Sequence, residues 1–390
     1  MRPWLGLVAL ACGLLLGACG NDEESGPNGG GGGEAGTTGF AGAGGDGGGG
    51  GEGGTGRDEA PGGSGGEGGA GGSGGSGGAP GPVRRLTPRL AAIVDPVAEE
   101  AVHRQLGDDP GYYLGYPLSL FYEVFPDDFD FVFFFAEFEG SVAGVHIARN
   151  RPAIPGTGID HPHTDPIADK LRSVIALQLD SNGPTLHEML HHWAVYLSPS
   201  LGFQGSHWNY AGVNGQLGGF DPESLVCAKP EGARPPCDPD DEDGTTTYIV
   251  DSFGLVANGG DSVPYAPLEL YLMGLVPADE VPDVPILVDV VSDERLPDGR
   301  RAIRARELRT VTIGDIIAVH GERPLAGAED RHFRVAFVLV TAEEPTDAQV
   351  QLADRWVRMF SCEDPTRFVL CFEEATQGLA TVDVMLPERP

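Results

Sequence analysis

The sequence predicts an α+β domain: a mixed β-sheet packed on one helix that carries His187-Glu188-Met189-Leu190-His191, with an α/β subdomain at the C-terminus. Three observations lead there. Residues 173–179 are an apolar, β-prone run, Asn182-Gly183-Pro184 is turn chemistry, and 184–197 then has helical character. Two further apolar runs precede this unit. The last third mixes strand-like runs with one amphipathic helix.

Residues 129–138 and 142–149 read as two strands joined at Gly140, a hairpin whose first arm is dense in Phe. The Pro- and Gly-containing stretch 152–166 is irregular, and 168–179 supplies the strand leading to the helix. Residues 198–219 are loop-like and contain Gly205-Ser206-His207-Trp208-Asn209-Tyr210. The segment 265–274 reads as a second helix ended by Gly274. Strands are expected at 286–291, 333–341 and 381–386. A helix over 348–360 would place Val350, Leu352, Trp356 and Phe360 on its apolar face.

The first residues are a targeting segment. Arg2 is a positive n-region, and 5–16 is apolar but shorter than the roughly 20 residues a spanning helix needs. It ends in Leu16-Gly17-Ala18-Cys19, which resembles the bacterial lipobox cleaved before a lipid-modified cysteine. Residues 1–18 are therefore expected to be a lipoprotein signal peptide, with Cys19 the membrane anchor. Gly20, rather than Asp, follows the anchor. By the same resemblance this points to the outer membrane of the bacterial envelope, facing either the periplasm or the surface. Residues 19–82 are mostly glycine and cannot bury enough surface to offset their ordering entropy. Such a tether has an r.m.s. span on the order of 40–45 Å. The remainder is assigned to a catalytic region, 83–280, and a C-terminal subdomain, 281–390.

The chain of 390 residues carries a formal net charge of −33. That argues against nucleic acid and against a basic patch on anionic lipid. With Cys19 as anchor and Cys12 lost with the signal peptide, four cysteines remain. The expected disulfides are Cys227–Cys237 and Cys362–Cys371. The chain is expected to be a monomer.

The H-E-x-x-H string is where chemistry is legible. On a helix, His187 and His191 share a face at i and i+4, so both imidazoles reach one Zn²⁺. Glu188 follows the first ligand, where a carboxylate can take a proton from metal-activated water. Strand, turn and H-E-x-x-H helix together resemble a zincin metallopeptidase. More narrowly, 186–193, Ser206-His207-Trp208 and 266–275 resemble a group of poorly characterised secreted bacterial metallopeptidase-like lipoproteins, over about residues 130–280. The resemblance implies a zinc-dependent peptidase acting on peptide or protein substrates, with one catalytic Zn²⁺. It also implies a third protein ligand. The metzincin extension fails, because Ala194 stands where glycine belongs and Leu197 where the third histidine belongs. His207 is the first candidate and Glu269, on the second helix, the alternative. Met273 stands where the gluzincin pattern has Asp. His192 is turned about 500° from His187 and points away. Trp193 is read as core.

Three weaker constellations remain. Asp160-His161-Pro162-His163-Thr164-Asp165 lacks the final histidine of binuclear hydrolases and reads as a turn-rich loop. The acidic loop 238–244 reads first as a solvated loop and second as a Ca²⁺ site, since Pro239 breaks the EF-hand pattern. The globular part has no phosphate-binding loop and no nucleophile elbow. For an oxyanion donor, Tyr210 and Tyr271 are candidates. The competing reading is a non-catalytic envelope or adhesion lipoprotein whose structural zinc is closed by four residues, His187, His191, His207 and Glu269.

Overall fold

Phe131-Val-Phe-Phe-Phe-Ala136 is buried along its whole length because both its faces are covered. Phe131, Phe133 and Phe135 enter one hydrophobic core, while Val132, Phe134 and Ala136 enter another on the opposite side. A strand with period-two side chains can do this only inside a two-faced sheet. The computed structural model describes residues 81–107, 114–140, 143–160, 164, 167–180, 184–239 and 243–388. The expected signal peptide, Cys19, the expected tether up to residue 80, most of residues 160–165 and residues 240–242 lie outside the described residues.

In chain order the elements are β1 (Val83–Arg85), β2 (Leu90–Val94), α1 (Pro96–Leu106), α2 (Gly115–Tyr122), β3 (Phe131–Ala136), β4 (Gly144–Ala148) and β5 (Ser173–Gln178). Next come α3 (Thr185–Leu190), β6 (Val226–Cys227), β7 (Thr246–Val250), α4 (Pro267–Met273), β8 (Val284–Arg295) and β9 (Arg301–Val311). The chain closes with α5 (Ile313–His320), β10 (His332–Thr341), α6 (Asp347–Phe360), α7 (Phe372–Ala375) and β11 (Thr381–Asp383).

The fold is mixed α/β. Among the described residues the main sheet runs β1-β2-β10-β3-β5-β4, with β11 paired to β10. Strands β2, β10, β3 and β5 are mutually parallel, and β1 and β4 run antiparallel at the two ends. β10, from the C-terminal third, lies between β2 and β3, so both ends of the described chain build the sheet behind α3. One core holds α3, α4, α6 and α7, and the other holds α1 and α2. A smaller sheet, β6-β7-β9-β8, has its own cluster around Phe220, Tyr248 and Ile303. Among the described residues no helix is long and apolar enough to cross a membrane.

Three expectations need correction. Residues 129–149 are not a hairpin: β5 lies between β3 and β4, pairing parallel to the first and antiparallel to the second. Val145 and Ile147 pack on the α1/α2 core, so Gly144 and His146, at alternate positions, face the α3 side. The site helix is also shorter than 184–197. After Leu190 the His192 and Trp193 amides bond three residues back, to the Met189 and Leu190 carbonyls, and Val195 turns left-handed at φ 75°. His191 keeps helical angles, φ −56° and ψ −15°, as the cap. Finally, β9 is absent from the sequence reading. Its run of arginines hides an alternation in which Ile303 and Ala305 are buried while Arg304 and Arg306 are not. The expected helix at 265–274 forms as α4, with Gly274 left-handed at its end. Both expected disulfides form, with Cα–Cα distances of 5.5 Å for Cys227–Cys237 and 5.0 Å for Cys362–Cys371.

Candidate metal centre

α3 begins after Pro184, which offers no capping side chain. Its cap comes from elsewhere in the chain. Asp261 accepts hydrogen bonds from Thr185 Oγ1 at 2.5 Å and the Leu186 amide at 3.0 Å, and Tyr265 Oη donates to the Leu186 carbonyl at 2.9 Å. The turn so anchored presents His187 and His191 on one side. The loop of residues 205–217 brings His207 to face them.

The three Nε2 atoms converge. His187 Nε2 lies 3.2 Å from His207 Nε2 and 3.3 Å from His191 Nε2, and the three ring centroids are 5.0–5.1 Å apart. Three nitrogens bound tetrahedrally to one ion at about 2.0–2.1 Å would sit roughly 3.3–3.4 Å from one another. The spacing therefore fits a first-row divalent cation, and among the described residues this trio is the grouping able to hold one. His187 Nδ1 donates to the Gln216 carbonyl at 2.8 Å; a carbonyl only accepts, so the Nε2 lone pair is left free to face the others. His207 Nδ1 is held by Ser206 Oγ at 3.0 Å. Burial lowers the pKa of His187 and of His207 to about 4, and holds His191 well below the ordinary range. All three are neutral at pH 7, the state in which imidazole binds metal.

Glu188 is buried beside the trio and packs against the backbone of β4. A Cβ on Gly144 would lie 2.8 Å from Glu188 Cγ and 2.9 Å from Oε1, so the carboxylate's place depends on that position being glycine. Burial first, and the Asp261 carboxylate second, push its pKa up to about 8. Glu188, His191 and His207 open together onto a cleft of about 590 Å³ that His146, Tyr196 and Ser206 also line.

The other expected site residues among those described fall as follows. His192 lies behind the helix, its Nδ1 2.9 Å from Ser173 Oγ, and Ser173 Oγ is 2.8 Å from His146 Nε2. Trp193 is core. Glu269 does not join the trio: it is fully buried, with both oxygens engaged by N–H donors. Neither tyrosine suggested as an oxyanion donor lines the cleft. Tyr210 donates to Asp293 on the smaller sheet, and Tyr271 is buried, accepting from the Arg323 amide. Sequence reasoning missed Asp261, Gln216, Gly144 and His146. Only His146 carries a signal, as a histidine at the cleft-facing phase of a strand.

No protein-family model, no curated protein and no solved structure matches this chain.

Proposed function

We propose that the chain is a zinc-dependent peptidase of zincin type, tethered to the outer membrane of a bacterial envelope through Cys19 and its glycine-rich linker. The observation that carries this reading is the convergence of three neutral imidazoles, at 3.2 and 3.3 Å, beside a buried glutamate on an open cleft. A zinc ion bound there supplies Lewis acidity that polarises a scissile carbonyl and acidifies water. Glu188, beside the trio and on the same cleft, takes the proton of the attacking water and passes it to the leaving amine. His146 donates to the oxyanion. Its Nε2 is tied to Ser173, while among the described residues its Nδ1 has no hydrogen-bond partner and the ring lines the cleft. Ser206 is tied to His207, and Tyr196 Oη donates to the His191 carbonyl at 3.0 Å.

Peptide, rather than a compact small molecule, is supported by β4. Among the described residues this strand pairs only with β5, so its other edge is free to align an extended chain along the cleft. A closed structural zinc is disfavoured, because Glu269, the fourth ligand it would need, is fully engaged elsewhere.

The test is Glu188→Gln in the purified full chain, assayed on denatured casein. Hydrolysis is expected to be lost with zinc content unchanged. Full hydrolysis in that variant would remove Glu188 from the mechanism.

A further inference from the structure

Glu269, in the first turn of α4, holds the loop that carries His207 at three points. Its Oε1 accepts from Trp208 Nε1 at 2.8 Å and the Leu217 amide at 3.0 Å. Its Oε2 accepts from the Gln216 amide at 3.0 Å and the Ala266 amide at 2.9 Å. Trp208 is the neighbour of His207 in the chain. Gln216 is the residue whose carbonyl fixes His187 Nδ1. One buried side chain thus ties the indole next to one imidazole in the chain to the backbone that orients another. The arrangement leaves no slack: a Cβ on Gly215 would fall inside the carboxylate's van der Waals envelope.

All four partners are donors, so only the ionised carboxylate, with acceptors on both oxygens, satisfies them. An amide in its place would turn an NH₂ group toward two N–H donors. The helix side has a matching device in Asp261, but Asp261 reaches only the start of α3. Glu269 makes no bond to α3 itself; it reaches His187 through Gln216, whose amide it holds and whose carbonyl accepts from His187 Nδ1.

We infer that Glu269 is the positioning residue of the metal centre: an ionised, buried carboxylate that sets the distance between His187 and His207 without touching the ion. The inference rests on the reading of the three histidines as a metal site. It predicts that metal affinity and coordination geometry, not only stability, depend on a residue outside the ligand shell. Outer partners of this kind are typically worth ten- to hundredfold in affinity.

The experiment titrates the full chain with Co²⁺ and Zn²⁺ alone, reading affinity by chelator competition and geometry by the visible Co²⁺ bands. Wild type, Glu269→Gln, Trp208→Phe and Ile303→Ala are compared, with unfolding midpoints measured in parallel. Ile303 is buried in the smaller sheet's cluster and serves as a destabilised control. Glu269→Gln is expected to bind about ten- to hundredfold more weakly with shifted Co²⁺ bands, while Ile303→Ala keeps wild-type affinity and bands. Trp208→Phe removes one donor and leaves the carboxylate, so a several-fold loss with a band shift is expected. It carries the test alone if Glu269→Gln does not fold. Wild-type affinity and bands in a folded Glu269→Gln, or in Trp208→Phe when that variant stands alone, overturn the inference. So does an equal loss in Ile303→Ala. Failure of the wild-type chain to bind either ion overturns the metal reading itself, which is a different result.

Discussion

The two segments that supply the imidazoles solve one positioning problem by different means. In α3 the local geometry does most of the work: a helical turn sets His187 and His191 four residues apart, and Asp261 only secures its start. In the loop of residues 205–217 no regular element sets His207. Its place comes from hydrogen bonds to a distant carboxylate and from Trp208, buried against Phe203. A ligand pair held by helix periodicity is cheap in sequence, needing five residues. A ligand held by a loop needs partners some 50 to 60 residues away, as the Gln216, Leu217 and Trp208 bonds to Glu269 show.

The largest expected effect breaks the comparison if it fails. His207→Ala should weaken zinc binding roughly a thousandfold, as much as His191→Ala, if the loop ligand is equal to the helical one. Chelator competition measures both, and a loop variant that binds like wild type would leave the helix as the whole site. Second comes Gly144→Ala, whose Cβ meets Glu188 and Leu177 first. Hydrolysis should fall about a hundredfold with zinc affinity unchanged; parallel loss of zinc would show that β4 supports the helix histidines as well.

The third effect is on stability against pH in the metal-free chain. His146, His187, His191, His192 and His207 all have folded pKa values below the ordinary 6.5. The unfolded chain therefore takes up protons first, and each costs stability as pH falls from about 6.5 towards 4. Glu188 and Asp261, raised by burial to about 8 and about 7, act with the opposite sign and gain stability as pH falls through those values. Glu269 is raised by burial as well and acts with the same sign as those two, so five imidazoles oppose three carboxyls; stability should peak near neutrality and drop by about 3 to 5 kcal/mol by pH 5. Urea midpoints at the two pH values decide it, and a rise on acidification would contradict the burial of these imidazoles. The helix side contributes His187, His191 and His192 and the loop only His207, so His192→Gln should flatten the slope without touching the loop. The smallest effect belongs to Tyr196→Phe. It deletes the bond to the His191 carbonyl where the shortened helix ends, and should cost about 1 kcal/mol in thermal or urea unfolding.

This contrast also explains what could be read from the residues alone. The mixed sheet behind a helix, the second helix ended by Gly274 and both disulfides are local features, and each leaves a local pattern. His187, Glu188 and His191 fall within five residues and were legible for the same reason. The placement of β5 between β3 and β4 was not, because residues 129–149 contain nothing to say which strand fills the gap. β9 was hidden because its outward arginines mask a two-residue alternation. Glu269 was legible as a candidate but not in its role, since its four donors include three backbone amides, which no side-chain pattern reveals.

The measurement that bears most directly on the central claim is X-ray absorption on the zinc-loaded full chain together with metal content. One zinc per chain, with three imidazole nitrogens and one oxygen at about 2.0–2.1 Å, is the predicted result. A chain that takes up no stoichiometric zinc, or a shell closed by four protein ligands, would contradict it.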